Sequence, residues 1–160
     1  MLGPKFNLFE NARNKFSDRQ TALNYILGGK GVVTLLSPSG VHHTYGIWKP
    51  RKDPFPDDVL FMYVRSSGRW KYLGMLEGTK FRNTSASTFG YTTPEYKGAK
   101  YMMNMVTIDN IFNTTKMELY HEGVCSICGK RLTSPKSIIT GIGPKCLKKM
   151  LNVQIPNIND

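Results

Sequence analysis

His121–Cys146 reads HEGVCSICGKRLTSPKSIITGIGPKC and holds all three cysteines of the chain and one of its three histidines. Cys125 and Cys128 form a C-x-x-C followed by Gly129. That is the spacing of a zinc knuckle, a tight turn that aims two thiolates at one metal ion. Cys146 follows Gly141-Ile142-Gly143-Pro144 and opens the run Cys146-Leu147-Lys148-Lys149-Met150-Leu151. Proline just before a helix-compatible run suits a helix start, where its missing N–H has no partner to lose. A thiolate there is also favoured by the helix dipole. Knuckle plus ligand at a helix start predicts a treble-clef or ribbon-like zinc module over residues 117–152.

Structural zinc takes four ligands. The treble-clef pattern draws its fourth from one turn into the helix, a position held here by Lys149. The nearest alternative is His121, at the end of the alternating stretch Met117–Tyr120; His42 and His43 are the other histidines. The expected set is His121, Cys125, Cys128 and Cys146, a closed Cys₃His site whose negative charge Lys130, Arg131 and Lys145 offset. Ligand type and the closed set favour zinc over iron. A thioredoxin-like redox pair would need a preceding strand–helix pattern and would leave Cys146 without a role.

The run C-x-x-C-G-[KR]-x-L-T-x-P-x-S-I-x-x-G-I-G-P-x-C, with a histidine four residues upstream, resembles an uncharacterised family found mainly in bacteriophage genomes and their hosts. In that family the module is sometimes attached to helicase-like proteins. The match is carried by His121, Cys125, Cys128, Gly129, Lys130, Leu132, Thr133 and Pro135, then by Ser137, Ile138, Gly141–Pro144 and Cys146. Ala22–Gly31, Thr44-Tyr45 and Tyr72–Gly74 are loosely similar to stretches of the phage members. The resemblance implies a viral origin and a zinc-binding module, and it implies no activity.

Working outward, 160 residues at 40% hydrophobic content suit one globular domain, or a core domain plus a small metal module. The expected division is a body over 1–116, the module over 117–152 and a tail over 153–160. Lys and Arg outnumber Asp and Glu by 22 to 11, a net charge of +11 that points to a polyanionic partner. Met1–Lys5 leads into no apolar signal region and no apolar run reaches membrane-spanning length. Three cysteines in a metal site fit a reducing compartment, so the expected location is the cytoplasm, that of the host if the protein is viral.

Along the chain, Phe6–Lys15 is a polar arm with Phe6, Leu8, Phe9 and Phe16 as its apolar points. Ser17 with Gln20 reads as a capping box, Leu23, Ile26 and Leu27 as a helical stripe, and Gly28-Gly29 as its end. Four strands are predicted at Gly31–Leu36, Val41–Lys49, Val59–Arg65 and Arg69–Leu76, with Lys80–Arg82 as a fifth edge. A Ser37–Gly40 turn and a three-proline loop over Lys49–Asp58 separate them. This meander suggests a small antiparallel sheet or half-open barrel. Asn83–Thr92 is a loop, Thr93-Pro94 starts a second helix with Ala99, Met102, Met103 and Val106 buried, and Thr107–Thr115 is a linker. The fold class expected is therefore α+β with a C-terminal zinc module.

Two surfaces suit a polyanion. From Gly123 to Asn159 there are six basic residues (Lys130, Arg131, Lys136, Lys145, Lys148, Lys149) and no acidic one. The second is the sheet, where cations and aromatics interleave, above all at Arg69, Trp70, Lys71 and Tyr72. Such mixtures hold single-stranded nucleic acid, rings stacking on bases while cations follow the backbone. Alternation puts Trp70 and Tyr72 on one face and Lys71 and Leu73 on the other. Trp70 and Tyr72 either stack on bases or face the core beneath a helix. No Walker loop or nucleophile elbow is present, Asp57-Asp58 is a solvated pair in the proline loop, and the spacing of a zinc deaminase is not matched. A fully ligated zinc has no open position for water, so catalysis would require that His121 not bind. The sequence therefore reads as a non-enzymatic, zinc-containing nucleic-acid binder, DNA or RNA, acting through phosphate contacts. The competing expectations are a module that engages a host or phage protein, and an accessory subunit of a phage replication or transcription complex.

Overall fold

The computed structural model describes residues 6–51 and 55–154. Met1–Lys5, Pro54 of the three-proline loop and the expected tail beyond Gln154 lie outside the described residues. Strands β1 (Lys30–Leu36), β2 (His42–Trp48), β3 (Val59–Ser66), β4 (Arg69–Glu77), β5 (Lys80–Arg82) and β6 (Glu118–His121) form one curled antiparallel sheet. Their order is β5-β4-β3-β2-β1-β6, so the first five strands are a meander and β6 returns to pair with β1. The expected strands stand, each within a residue of its predicted bounds.

Alternation decides the core. Val33, Leu35, Tyr45, Ile47, Met62, Val64 and Leu73 all point to one face and are buried. Two helices cover that face. In α2 (Arg19–Ile26), Ala22, Tyr25 and Ile26 are buried; in α3 (Pro94–Thr107), Ala99, Met102, Met103, Met105 and Val106 are. Methionine is unbranched and adaptable, which suits packing against a curled sheet. Thr93 caps α3, its side chain accepting from the Tyr96 N–H, with Pro94 in the first turn as predicted.

Three local expectations need correction. The cap of α2 is Asp18 rather than Ser17: its carboxylate accepts from the Thr21 N–H at 2.9 Å, a bond a cap at Ser17 would forgo. The Thr107–Thr115 linker contains a short helix, α4 (Ile111–Thr114), because Ile111 and Phe112 pack on the core. The arm holds a short helix, α1 (Leu8–Asn11), followed by a 3₁₀ turn. Of its apolar points only Phe6 and Phe16 dock, Phe6 on Tyr120 at 5.1 Å, while Phe9 stands in solvent.

The division at 116/117 cuts through connected structure. Helices α5 (Pro135–Thr140) and α6 (Pro144–Gln154) follow β6, and the module has its own small core of Cys125, Leu132, Ile138 and Ile142. Its entry strand β6 is nevertheless an edge of the body's sheet. Helix α6 also runs to Gln154, two residues into the predicted tail.

Candidate metal centre

The knuckle is built by backbone hydrogen bonds. Val124 bridges Arg131, the Gly129 N–H donates to the Cys125 carbonyl at 2.9 Å, and the Cys125 N–H donates to the Lys130 carbonyl at 2.8 Å. Gly129 has φ 79°, the left-handed conformation that lets the chain double back after Cys128. The Ile127 N–H points at the Cys125 sulfur at 3.4 Å. On the other side, Ser134 caps α5, and Gly141 closes it with φ 72°. The two-residue gap Ile142-Gly143 then admits α6, which carries Cys146 in its first turn.

The result is a cluster in which the sulfurs of Cys125, Cys128 and Cys146 all lie within 4.8 Å of one another. A tetrahedral zinc with bonds of about 2.3 Å to sulfur holds its thiolates about 3.8 Å apart, so the donor set fits such an ion. The local field fits as well. Burial opposes ionisation of Cys125, but the N–H groups of Gly143, Cys128 and Ile127 outweigh it and bring its thiol down to about 7. Cys146 is pushed up to about 11 by burial and by the neighbouring sulfurs of Cys128 and Cys125. Three adjacent sulfurs cannot all carry charge cheaply unless a cation sits among them.

His121 does not join the cluster. Its Nδ1 accepts from the Gly123 N–H at 2.9 Å, so the proton lies on Nε2, which donates to the Ile138 carbonyl at 2.6 Å. Both nitrogens are engaged by backbone, and burial holds its pKa below the usual imidazole range. The ring stacks on Tyr25 at 5.3 Å instead. The physical reason is strand parity: His121 shares a face with Leu119, which points into the body's core. Among the described residues no other histidine, cysteine or carboxylate completes the set.

The same residues fasten the module to the body. The Tyr25 hydroxyl donates to the Val124 carbonyl at 3.0 Å, and the Lys30 N–H donates to the Ser126 carbonyl at 2.6 Å. Gly28 lies so close that a Cβ there would stand 2.2 Å from the Ser126 hydroxyl.

The predicted cations separate into groups. Lys130, Arg131, Lys145 and Lys149 surround a cavity of about 380 Å³ that also touches Cys128 and Cys146. Lys136 and Lys148 line an adjoining cleft of about 220 Å³. All six side chains are exposed, and none forms an ion pair among the described residues. In the sheet, Trp70 and Tyr72 lie on the face away from the helices. Lys71 is on the opposite side, 6.0 Å from the Phe89 ring, and Arg69 shares its parity at the hairpin end. Sequence reading missed Phe61 and the stacking role of Arg65, which only the cross-strand register reveals.

These features define a class: an α+β protein with a C-terminal three-cysteine centre able to hold a metal ion. Residues 117–151 match the model of a family of unknown function (DUF6011). No curated protein and no solved structure matches the chain.

Proposed function

We propose that this is a phage zinc protein that binds nucleic acid chiefly through phosphate contacts. The carrying observation is the cavity at the cysteine centre, ringed by Lys130, Arg131, Lys145 and Lys149 with no acidic residue in its wall. Zinc held by Cys125, Cys128 and Cys146 supplies folding energy and fixes the turn and α6. The cations then stand on one surface, where their mutual repulsion is relieved by a polyanion. Each phosphate neutralised releases counterions, so affinity falls steeply with salt.

The test is binding of metal-loaded protein to labelled single-stranded and duplex oligonucleotides across a salt series. Tight binding at low salt with a steep negative slope is expected. Absence of binding to either form at low salt overturns the reading and turns the basic surface towards an acidic protein.

A further inference from the structure

The helix-free face of the sheet carries side chains that the metal centre does not use. Register across β2, β3 and β4 brings five rings, Trp48, Phe61, Tyr63, Trp70 and Tyr72, to that face. They touch in sequence: Trp48 lies 5.2 Å from Tyr63 and 4.8 Å from Trp70, and Tyr72 lies 5.6 Å from Tyr63 and 5.8 Å from Phe61. The Trp48 indole lies across Gly46, where a Cβ would come within 2.1 Å of the ring. The uncovered face of an antiparallel sheet is ordinarily polar. Here it is a platform of aromatic rings.

Concavities adjoin the platform on two sides. On one, Trp48, Phe61 and Tyr63 wall a cleft of about 490 Å³ with Lys49 and Arg51 at its rim. On the other, the Arg65 guanidinium sits 4.5 Å over the Trp70 ring and donates to Glu122 at 2.9 Å. Arg65 also lines a polar cleft of about 310 Å³ shared with Arg13, Arg131 and the arm's asparagines, where three arginines outnumber the two carboxylates, Glu10 and Glu122. Arg131 in turn belongs to the cavity at the cysteine centre. Shared residues thus join rings, arginine cleft and metal module.

We infer that the ligand is single-stranded nucleic acid, with bases stacked on the sheet's rings and its backbone led by Arg65 and Arg131 to the metal module. This deepens the nucleic-acid reading and rests on it. The charge of the fringe suits a phosphate chain, and flat rings suit unpaired bases; in a duplex the base faces are already stacked on each other.

Trp48 and Trp70 are the chain's two tryptophans, so fluorescence excited selectively in tryptophan reports from the platform alone. Oligo(dT) added to the zinc-loaded 160-residue chain is expected to quench it, and a duplex of equal length to quench it far less. By anisotropy of labelled oligo(dT), Trp70→Ala should bind about tenfold more weakly or worse, and Trp70→Phe should retain most of the affinity. Arg131→Ala should lower the salt slope by about one without changing metal content. Oligo(dT) bound with unchanged fluorescence and with equal affinity in Trp70→Ala overturns this track while leaving the nucleic-acid reading in place. Binding of neither strand form overturns both. A dimer that Trp70→Ala breaks without loss of oligo(dT) binding gives the face to a second copy, and overturns the track as well.

Discussion

Both ring nitrogens of His121 are engaged by backbone atoms, which decides what its loss would do. His121→Ala should leave the metal content of the purified protein unchanged and cost about 2–4 kcal/mol of stability, from a cavity and two orphaned backbone groups. Loss of metal in that variant would return the imidazole to the coordination set. Cys128→Ser behaves oppositely: metal is lost and the module unfolds, because metal affinity there is folding energy. Elemental analysis of the two variants side by side separates the roles. Acid acts on His121 too. Burial lowers its pKa in the folded protein, while in the unfolded chain it takes a proton near 6.5. Its contribution is therefore complete above that pH and is lost as pH falls below it. Melting temperatures of wild type and His121→Gln should converge between pH 7.5 and 5.5; a constant gap would contradict the assignment. The three cysteines were legible because C-x-x-C-G and Gly-Pro-x-Cys fix local geometry by themselves. The direction of the His121 ring was not, since it depends on which face of β6 meets the core.

At the scale of elements, strands and their turns were legible from alternation and from Pro and Gly placement. Helix α5 was not predicted, although Ser134-Pro135 and Gly141 are a cap, a first-turn proline and a left-handed close. Its six residues sit between Cys128 and Cys146, and the cysteine pattern masked the helix signals. Ser134→Ala should cost about 1 kcal/mol by losing the bond from the Ser137 N–H. Gly28 tests the joint between α2 and the knuckle. Gly28→Ala puts a methyl against the Ser126 backbone and hydroxyl, so about 1–3 kcal/mol is lost as the module shifts outward. Thermal melts with metal present read both changes. Which sheet face is bare was beyond sequence, because Trp70 and Tyr72 alternate equally well under a helix or under solvent.

At the scale of the whole molecule, the described residues form two apolar clusters, a large one between sheet and helices and a small one around Cys125. They meet at Tyr25 and His121, and a metal ion held by Cys125, Cys128 and Cys146 would stabilise the smaller directly. Chelation should therefore strip hydrogen-exchange protection from amides of residues 123–150 first, leaving those of β2, β3 and β4 protected. Simultaneous loss of protection throughout would show one cooperative unit instead. The α+β class was readable from sequence because body and module each carry a complete local pattern; their joining through β6 was not, since no local signal records that β6 pairs with β1. That pairing has a further consequence. The sheet ends at a three-residue β5, flanked by the Arg82–Glu77 ion pair, and at a four-residue β6. Beyond β6, the Phe16 N–H donates to the Leu119 carbonyl and Lys15 bridges Tyr120. Short, charged or already paired borders resist strand addition. A visiting molecule meets side chains on the sheet's face rather than open backbone at its rim, and the sheet does not serve as a template for its own extension.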